Sequence, residues 1–254
     1  MRTTLCVSLA ASLLLAGAGL LSADDEAAVR AVLDKAIKAH GGAEKLAKFK
    51  ASTTKMKGKF HGSGTPIDYT GEIIIQLPDK SKITIEGEVM GQKFSFSQVF
   101  VGGKGWELNS FEGKPQDLDK DKIEEAREGL YAHEVATLAP LTGKGFTLSP
   151  VGESKIGDRP ATGVRVSGKG HRDINLYFDK DKGLLLKMEK TVKDLMAGGK
   201  EMQEEIFYSD FKEVEGVQQP MKVVIKRDSK DYVEGETTDL KLAEKLDDSV
   251  FAKP

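Results

Sequence analysis

The sequence predicts an α+β protein that is mainly β, in which most strands belong to one large curved antiparallel sheet. Between about residues 50 and 245, apolar residues alternate with polar ones in short segments, the period-two pattern of strands with one buried face. Short turns rich in Gly, Asp and Lys separate these segments. Such connections join antiparallel neighbours, because a parallel crossover needs a dozen or more residues.

Residues 1–23 have the three parts of a cleavable export signal. Arg2 gives a positive start, the segment 5–21 is apolar or small with no charge, and Ala23 stands at the predicted cleavage point before three acidic residues. A membrane anchor is the alternative, but two glycines interrupt the apolar run, which is shorter than the roughly 20 residues that span a bilayer comfortably. We therefore expect a signal peptide, and a mature chain that is periplasmic or secreted.

The composition excludes several classes of function. Of 254 residues, 38 are Lys or Arg and 40 are Asp or Glu, so the formal net charge of −2 leaves no basic excess for binding a nucleic acid backbone. Cys6 is the only cysteine and lies in the predicted leader. The mature chain would then have no disulfide, no thiol nucleophile and no cysteine ligand for a metal. We expect it to be a monomer without a transmembrane segment.

Two helices are predicted before the first strand. Residues 26–40 begin with acids and end with Lys38 and His40, which suits the helix dipole, and Gly41-Gly42 end the segment. A second, short helix is predicted for residues 43–49. The apolar residues of the first helix recur at helical spacing and are Val29, Val32, Leu33, Ala36 and Ile37.

About five strands in consecutive hairpins are predicted for the segment 50–109. Their alternating apolar positions are Ile73/Ile75/Leu77, Ile83/Ile85, Phe94/Phe96 and Trp106/Leu108. A helix is then predicted for residues 117–140, with acids in its first turn and Pro140 at its end. Seven further strands are predicted near residues 145–151, 161–167, 171–178, 184–194, 200–213, 220–230 and 233–245.

No cluster of residues predicts an enzyme or a metal site. Asp117, Asp119, Asp121 and Glu128 stand at EF-hand ligand positions, but Lys122 occupies the position where the calcium loop needs glycine. No two histidines have the spacing of metal ligands. A hydrolase built on two carboxylates is a distant third hypothesis, because nothing in the sequence singles out one pair. We expect no metal, no cofactor and no catalytic residue.

A wide curved sheet is expected to keep an apolar cavity, because two or three short helices cannot fill its concave face. Ordinary core packing is the alternative for each apolar residue taken singly. The residues predicted to line the cavity and to bind a ligand are Ile75, Phe94, Phe96, Trp106, Leu130, Leu138, Leu186 and Met188.

The order of several short segments resembles a known family. The N-terminal helix ends in Ala39-His40-Gly41-Gly42, a hairpin covers residues 100–106, and the central helix follows. Further matching segments are Gly152-Glu153, residues 156–161, residues 176–186, residues 208–220 and the closing residues 247–254. In this order the segments resemble the LolA/LolB-like superfamily of lipoprotein carriers, and in particular its periplasmic members that are similar to outer membrane lipoprotein-sorting proteins.

The resemblance implies an unclosed β-barrel whose helices cover the concave face, formed by residues 24–254 as a single LolA/LolB-like domain. It also implies a non-enzymatic protein that holds the acyl chains of a lipid or an acylated lipoprotein, as a carrier towards the outer membrane. The alternative is an interaction or sensor module of the cell envelope, with a filled core, a protein partner and no lipid ligand.

Overall fold

The computed structural model describes residues 23–195 and 198–254. The predicted leader, apart from Ala23, lies outside these residues. The described part of the chain has three α-helices, which are α1 (Ala23–Ala39), α2 (Ala43–Lys48) and α3 (Lys120–Ala136). None of its helices combines the length and the apolar character needed to cross a membrane.

Thirteen strands form one sheet in the described residues, including every strand that the alternation predicts. The short strand β6 was not predicted. The strands are β1 (Ala51–Phe60), β2 (Ile67–Gln76), β3 (Lys80–Val89), β4 (Gln92–Val101), β5 (Lys104–Asn109), β6 (Gln116–Asp117), β7 (Phe146–Ile156), β8 (Arg159–Gly168), β9 (Ile174–Asp179), β10 (Leu185–Asp194), β11 (Lys200–Val214), β12 (Val217–Arg227) and β13 (Lys230–Ala243).

The sheet is antiparallel throughout and is not closed. Its order is β6-β5-β4-β3-β2-β1-β13-β12-β11-β10-β9-β8-β7, so two runs of consecutive hairpins meet where the first strand pairs with the last. In that central pair Ala51 lies opposite Ala243, and Phe60 lies opposite Val233. Strands β6 and β7 are the two free edges. The predicted fold class, an unclosed β-barrel that is mainly β, is confirmed.

The segment with α3 connects the two free edges, and the helices cover only part of the concave face. Helix α1 contacts β7, and α3 contacts β10. Their apolar stripes are buried against the half of the sheet that begins at β7. We call the buried residues of these helices and of the strands beneath them the helical core. Its largest fully buried side chains are Leu33, Val135, Leu138, Leu141, Val164, Val166, Ile174, Leu176, Phe178 and Met188.

Helix α3 is shorter than the predicted segment 117–140, because local interactions fix both ends. Asp119 caps the N-terminus, where its carboxylate accepts a hydrogen bond of 2.9 Å from the backbone N–H of Lys122. After Ala136 the backbone turns, since Leu138 adopts a left-handed conformation with a φ of 63°. A 3₁₀-helix follows at Ala139–Thr142.

A second, smaller core lies on the opposite, convex face of the sheet. Residues 244–254 run along that face, and a 3₁₀-helix at Asp248–Phe251 packs on it. The buried members of this tail core are Ile74, Val99 and Phe251, with Trp106, Leu246 and Val250 packed against them. Lys80 binds Asp248 at 2.7 Å and fixes the segment to β3.

Candidate functional site

A large open cavity of about 1120 Å³ lies between the concave face of the sheet and helix α3. Its floor is formed by β1–β4 and β10–β13, and α3 forms its roof. The cavity exists because the helical core fills only the other half of the concave face. The floor therefore keeps apolar side chains that no protein segment covers.

Period-two alternation gives the floor its apolar character. On β2, β3 and β4 the inward positions carry Ile73, Ile83, Ile85, Phe94 and Phe96, while the intervening positions are mainly polar. These side chains are half-buried, unlike those of the helical core, because they border the empty space. A concave surface of isoleucine and phenylalanine suits the hydrocarbon part of a ligand.

Two glycines make room for Tyr69 on the cavity floor where β1 and β13 pair. Gly58 lies opposite Gly235, and the ring of Tyr69 extends over both. A Cβ atom at Gly58 would clash with the carbonyl oxygen of Glu234, at 1.8 Å. The Tyr69 hydroxyl donates to that same oxygen at 3.3 Å, so the ring is held in place. The two glycines therefore let the Tyr69 hydroxyl approach the backbone of β1 and β13 more closely than any side chain at these positions would permit.

Helix α3 presents small residues to the cavity. Ala126, Gly129, Ala132 and Ala136 recur at intervals of three or four and line the roof, while Val135 points into the helical core. Small side chains leave space that larger ones would occupy. The small residues at this helical spacing therefore leave the cavity open below α3.

The charged side chains that α3 and the sheet contribute to the cavity are paired. Lys122 donates to Glu107, and Glu125 accepts from Arg172 at 2.6 Å. Lys190 pairs with Glu204 at 3.3 Å. These pairs neutralise the charges that α3 and β10 bring to the apolar surface. Another lysine of the lining, at position 50, is exposed to solvent.

His133 and Tyr208 are two titratable side chains of the cavity lining, of which His133 is exposed and Tyr208 is half-buried. His133 extends from the roof and Tyr208 from strand β11 of the floor. Neither side chain makes a hydrogen bond with any residue in the ranges 23–195 and 198–254. The surrounding protein desolvates the ring and lowers the pKa of His133 to about 4, although the side chain borders the open cavity. Burial, reinforced by the charge of Glu204, raises the pKa of Tyr208. Both groups are therefore neutral near pH 7.

The other histidine of the cavity has a structural role. His40 ends helix α1, and its Nδ1 lies 2.8 Å from the carbonyl oxygen of Ala36. Its Nε2 accepts from the backbone N–H of Leu185 at 3.4 Å. Burial lowers the pKa of His40, although the bond to Ala36 opposes that shift.

Five of the eight residues predicted to bind a ligand line the cavity, and they are Ile75, Phe94, Phe96, Leu130 and Met188. Whether these five contact a ligand stays a prediction. The other three, Trp106, Leu138 and Leu186, lie elsewhere. Leu138 is fully buried in the helical core, because the chain turns inward directly after α3.

Trp106 and Leu186 point away from the cavity for two different reasons. Trp106 faces the convex side, where it packs in the tail core with the ammonium group of Lys253 5.7 Å from its ring. Leu186 lies in a β-bulge between Leu185 and Lys187, which breaks the alternation. Leu185 and Met188 therefore point inward, while Leu186 packs on the convex side with Ala161 and Tyr177. Leu184, Leu185 and Leu186 are all apolar, so the hydropathy pattern does not change at the bulge. The alternation of apolar and polar residues therefore cannot predict which leucine points inward.

The acidic positions of the EF-hand-like segment have structural roles. Besides the cap formed by Asp119, Asp121 binds Lys193 at 3.1 Å, and Glu128 lies 2.9 Å from the ring nitrogen of His171. Asp117 binds Lys253 at 3.3 Å. In the described part of the chain no three His, Cys, Asp or Glu side chains are grouped as metal ligands.

Known proteins were compared with this chain by sequence and by structure. No family model and no curated protein matches it. A DUF1329 family protein from Desulfovibrio piger has a similar structure, with a TM-score of 0.60 at 12% identity over 88% of this chain and 97% of that chain. A LolA superfamily protein from Nitrosomonas europaea gives a TM-score of 0.55 at 14% identity, over 89% and 97%.

A third similar structure is a domain from Vibrio parahaemolyticus, described as an outer membrane lipoprotein-sorting protein domain. Its TM-score is 0.54 at 10% identity, over 88% of this chain and 95% of that chain. The chain has a LolA-like fold. The resemblance found in the sequence is thereby confirmed for the fold. At such low identity the LolA-like fold carries no residue roles, so the function has to be argued from the cavity.

Proposed function

We propose that this protein is a non-enzymatic binding protein of the periplasm that holds the acyl chains of a lipid or of an acylated lipoprotein. The open apolar cavity carries this proposal. Its floor offers isoleucine and phenylalanine side chains that the fold leaves half-buried. Burial of each methylene of an acyl chain would contribute about 0.8 kcal/mol to binding.

The setting of the cavity supports a carrier. Its charged groups on α3 and the sheet are ion-paired, so hydrocarbon would meet no unpaired charge on these elements, and Lys50, which precedes β1, is exposed to solvent. One protein of similar fold is described as a lipoprotein-sorting domain. With a leader at residues 1–23, the chain would be exported and could take its cargo towards the outer membrane. The open cavity does not favour the alternative of an interaction module with a filled core.

Native mass spectrometry of the exported, purified protein tests the proposal. We expect co-purifying lipid, and we expect extraction to leave a protein that binds palmitic acid again. Replacing Phe96 by Asp places a charge on the cavity floor, so it should lower binding at least tenfold, because charge burial is costly.

The matched control is Phe207→Asp. Phe207 is also half-buried, but it faces the other side of the sheet, near the ammonium group of Lys187 at 5.7 Å. This variant should bind palmitic acid as the wild type does, with thermal unfolding recorded for both variants. A wild-type protein that carries no lipid and binds no palmitic acid would rule out the carrier.

A further inference from the structure

The cavity contains a polar position that hydrocarbon alone would not satisfy. Lys122, Glu125 and Lys190 each have an oppositely charged partner at the cavity wall. His133 and Tyr208 have no hydrogen-bond partner among the described residues, and both line the cavity, where His133 is exposed and Tyr208 is half-buried. A purely apolar ligand would cover these groups and leave them unpaired, which is unfavourable.

The position of His133 on α3 explains why the protein itself supplies no partner. One turn before it stands Gly129, and Ala132 and Ala136 lie beside it on the same face of the helix. None of these residues has a polar side chain. Thr137, the next polar residue of the lining, donates its hydroxyl to the carbonyl oxygen of Glu134 at 2.7 Å. The imidazole therefore meets only the empty space of the cavity.

The chemistry of the two groups restricts what they can bind. A neutral imidazole offers one N–H donor and one acceptor, and a neutral phenol offers one O–H donor. A phosphate or sulfate group would need a free cation, but the lysines of α3 and β10 are already paired, and Lys50 lies before β1, away from α3 in sequence, and is exposed to solvent. An uncharged oxygen acceptor suits this position better.

We propose that His133 donates a hydrogen bond to the carbonyl oxygen of an acyl group, with the Tyr208 hydroxyl as a second donor from the opposite wall. This inference rests on the proposed function and specifies it, since the cavity would then hold the carboxyl or ester end of a chain as well as its hydrocarbon. An ester-linked lipid carries this carbonyl uncharged, whereas a free fatty acid is ionised near pH 7 and offers a carboxylate oxygen to the same donor.

Binding of three probes to wild type and variants tests this inference. The probes are palmitic acid, methyl palmitate and hexadecane, which has no oxygen. We expect His133→Leu to weaken binding of one or both oxygen-containing probes about 3- to 10-fold, the effect of one net hydrogen bond, and not to weaken binding of hexadecane. Loss with palmitic acid alone identifies a free carboxyl as the partner, and loss with methyl palmitate identifies an ester. His133→Gln keeps an N–H donor and should bind as the wild type does.

The matched control is His61→Leu, because His61 lies outside the cavity and pairs with Glu234 at 3.0 Å. It should leave all three affinities unchanged. The ring nitrogen signals of His133 in the wild-type NMR spectrum give a readout without any variant, and methyl palmitate or palmitic acid should shift them more than hexadecane does. If His133→Leu binds every probe as tightly as the wild type and these signals do not move, the inference is wrong. If the wild type binds none of the probes, the proposed function itself fails.

Discussion

Single residues decide which parts of the concave face stay open. The bulge at residues 185–187 turns Leu186 out and Met188 in, so the lining of β10 differs from a simple alternation. The conformation of Leu138 sends it into the helical core instead of the cavity. His133, in contrast, follows the helical spacing of the roof. Its role could have been predicted by asking which polar residue shares a face with Ala126 and Ala136.

The two cavity histidines predict how stability depends on pH. Burial lowers the pKa of both His40 and His133 below the ordinary value of 6.5. Between these pKa values the unfolded chain binds protons that the folded chain does not. The contribution of the two neutral histidines to the free energy of unfolding is therefore fully present above pH 6.5 and is lost as the pH falls towards 4. We expect the free energy of unfolding to be lower at about pH 5 than at about pH 7.

Urea unfolding of wild type and His133→Leu at both pH values checks this expectation. The variant lacks one of the two groups, so its stability should fall less on acidification than that of the wild type. His61→Leu provides the control, since His61 lies outside the cavity. Equal losses in wild type and His133→Leu would contradict a lowered pKa of His133 in the folded protein.

At the scale of elements, helix α3 is held over the cavity by ion pairs on its polar side. Arg172 binds Glu125 at 2.6 Å and Glu124 at 3.4 Å, and Lys193 binds Glu124 at 3.1 Å. Hydrogen bonds from Arg172 to Glu125, and the charges of neighbouring acids, raise the pKa of the guanidinium although burial opposes this. Glu125 itself faces the cavity. The pairing therefore both anchors the roof and removes a charge from the apolar space.

Replacing Arg172 by Leu should destabilise the protein by about 1–3 kcal/mol, because a half-buried carboxylate loses its charged hydrogen bond. It should also weaken binding of palmitic acid, since Glu125 would then present an unpaired charge to the ligand. Urea unfolding and a binding titration measure the two effects. Lys59→Gln removes the exposed pair with Asp68 and should change neither quantity. An Arg172→Leu variant as stable as the wild type would show that α3 needs no such anchor.

The sequence predicts the elements better than it predicts their ends and breaks. Alternation reveals twelve strands, and helical spacing reveals the buried stripe of α1, because both patterns follow from one buried face. Strand β6 is only two residues long and too short to show a period. The ends of α3 depend on the Asp119 cap and on the turn at Leu138, neither of which periodicity detects.

At the scale of the whole molecule, one sheet separates two different environments. The concave face carries the helical core and the cavity, and the convex face carries the tail core under residues 244–254. The pairing of β1 with β13 creates this arrangement, because it brings together strands from the two ends of the fold. Local patterns do not contain such long-range pairings. Trp106 lies opposite Val99 and shares its convex side, where both pack with Phe251 of the distant tail. Alternation indicates that this side of the strand is apolar, but not that the tail covers it.

Because the sheet separates the two faces, we expect a change in the tail to alter Trp106 fluorescence and a ligand in the cavity to leave it unchanged. Phe251→Ala removes a buried ring that packs beside Trp106, so it should destabilise the protein by about 3–5 kcal/mol and shift the tryptophan emission to longer wavelength as water enters. Palmitic acid, bound on the concave side, should leave that emission unchanged. Emission spectra and urea unfolding measure both effects. Phe111→Ala is the control for stability alone, because Phe111 is exposed but borders the cavity. A strong response of Trp106 to palmitic acid in the wild type would mean that the two faces are coupled through the sheet.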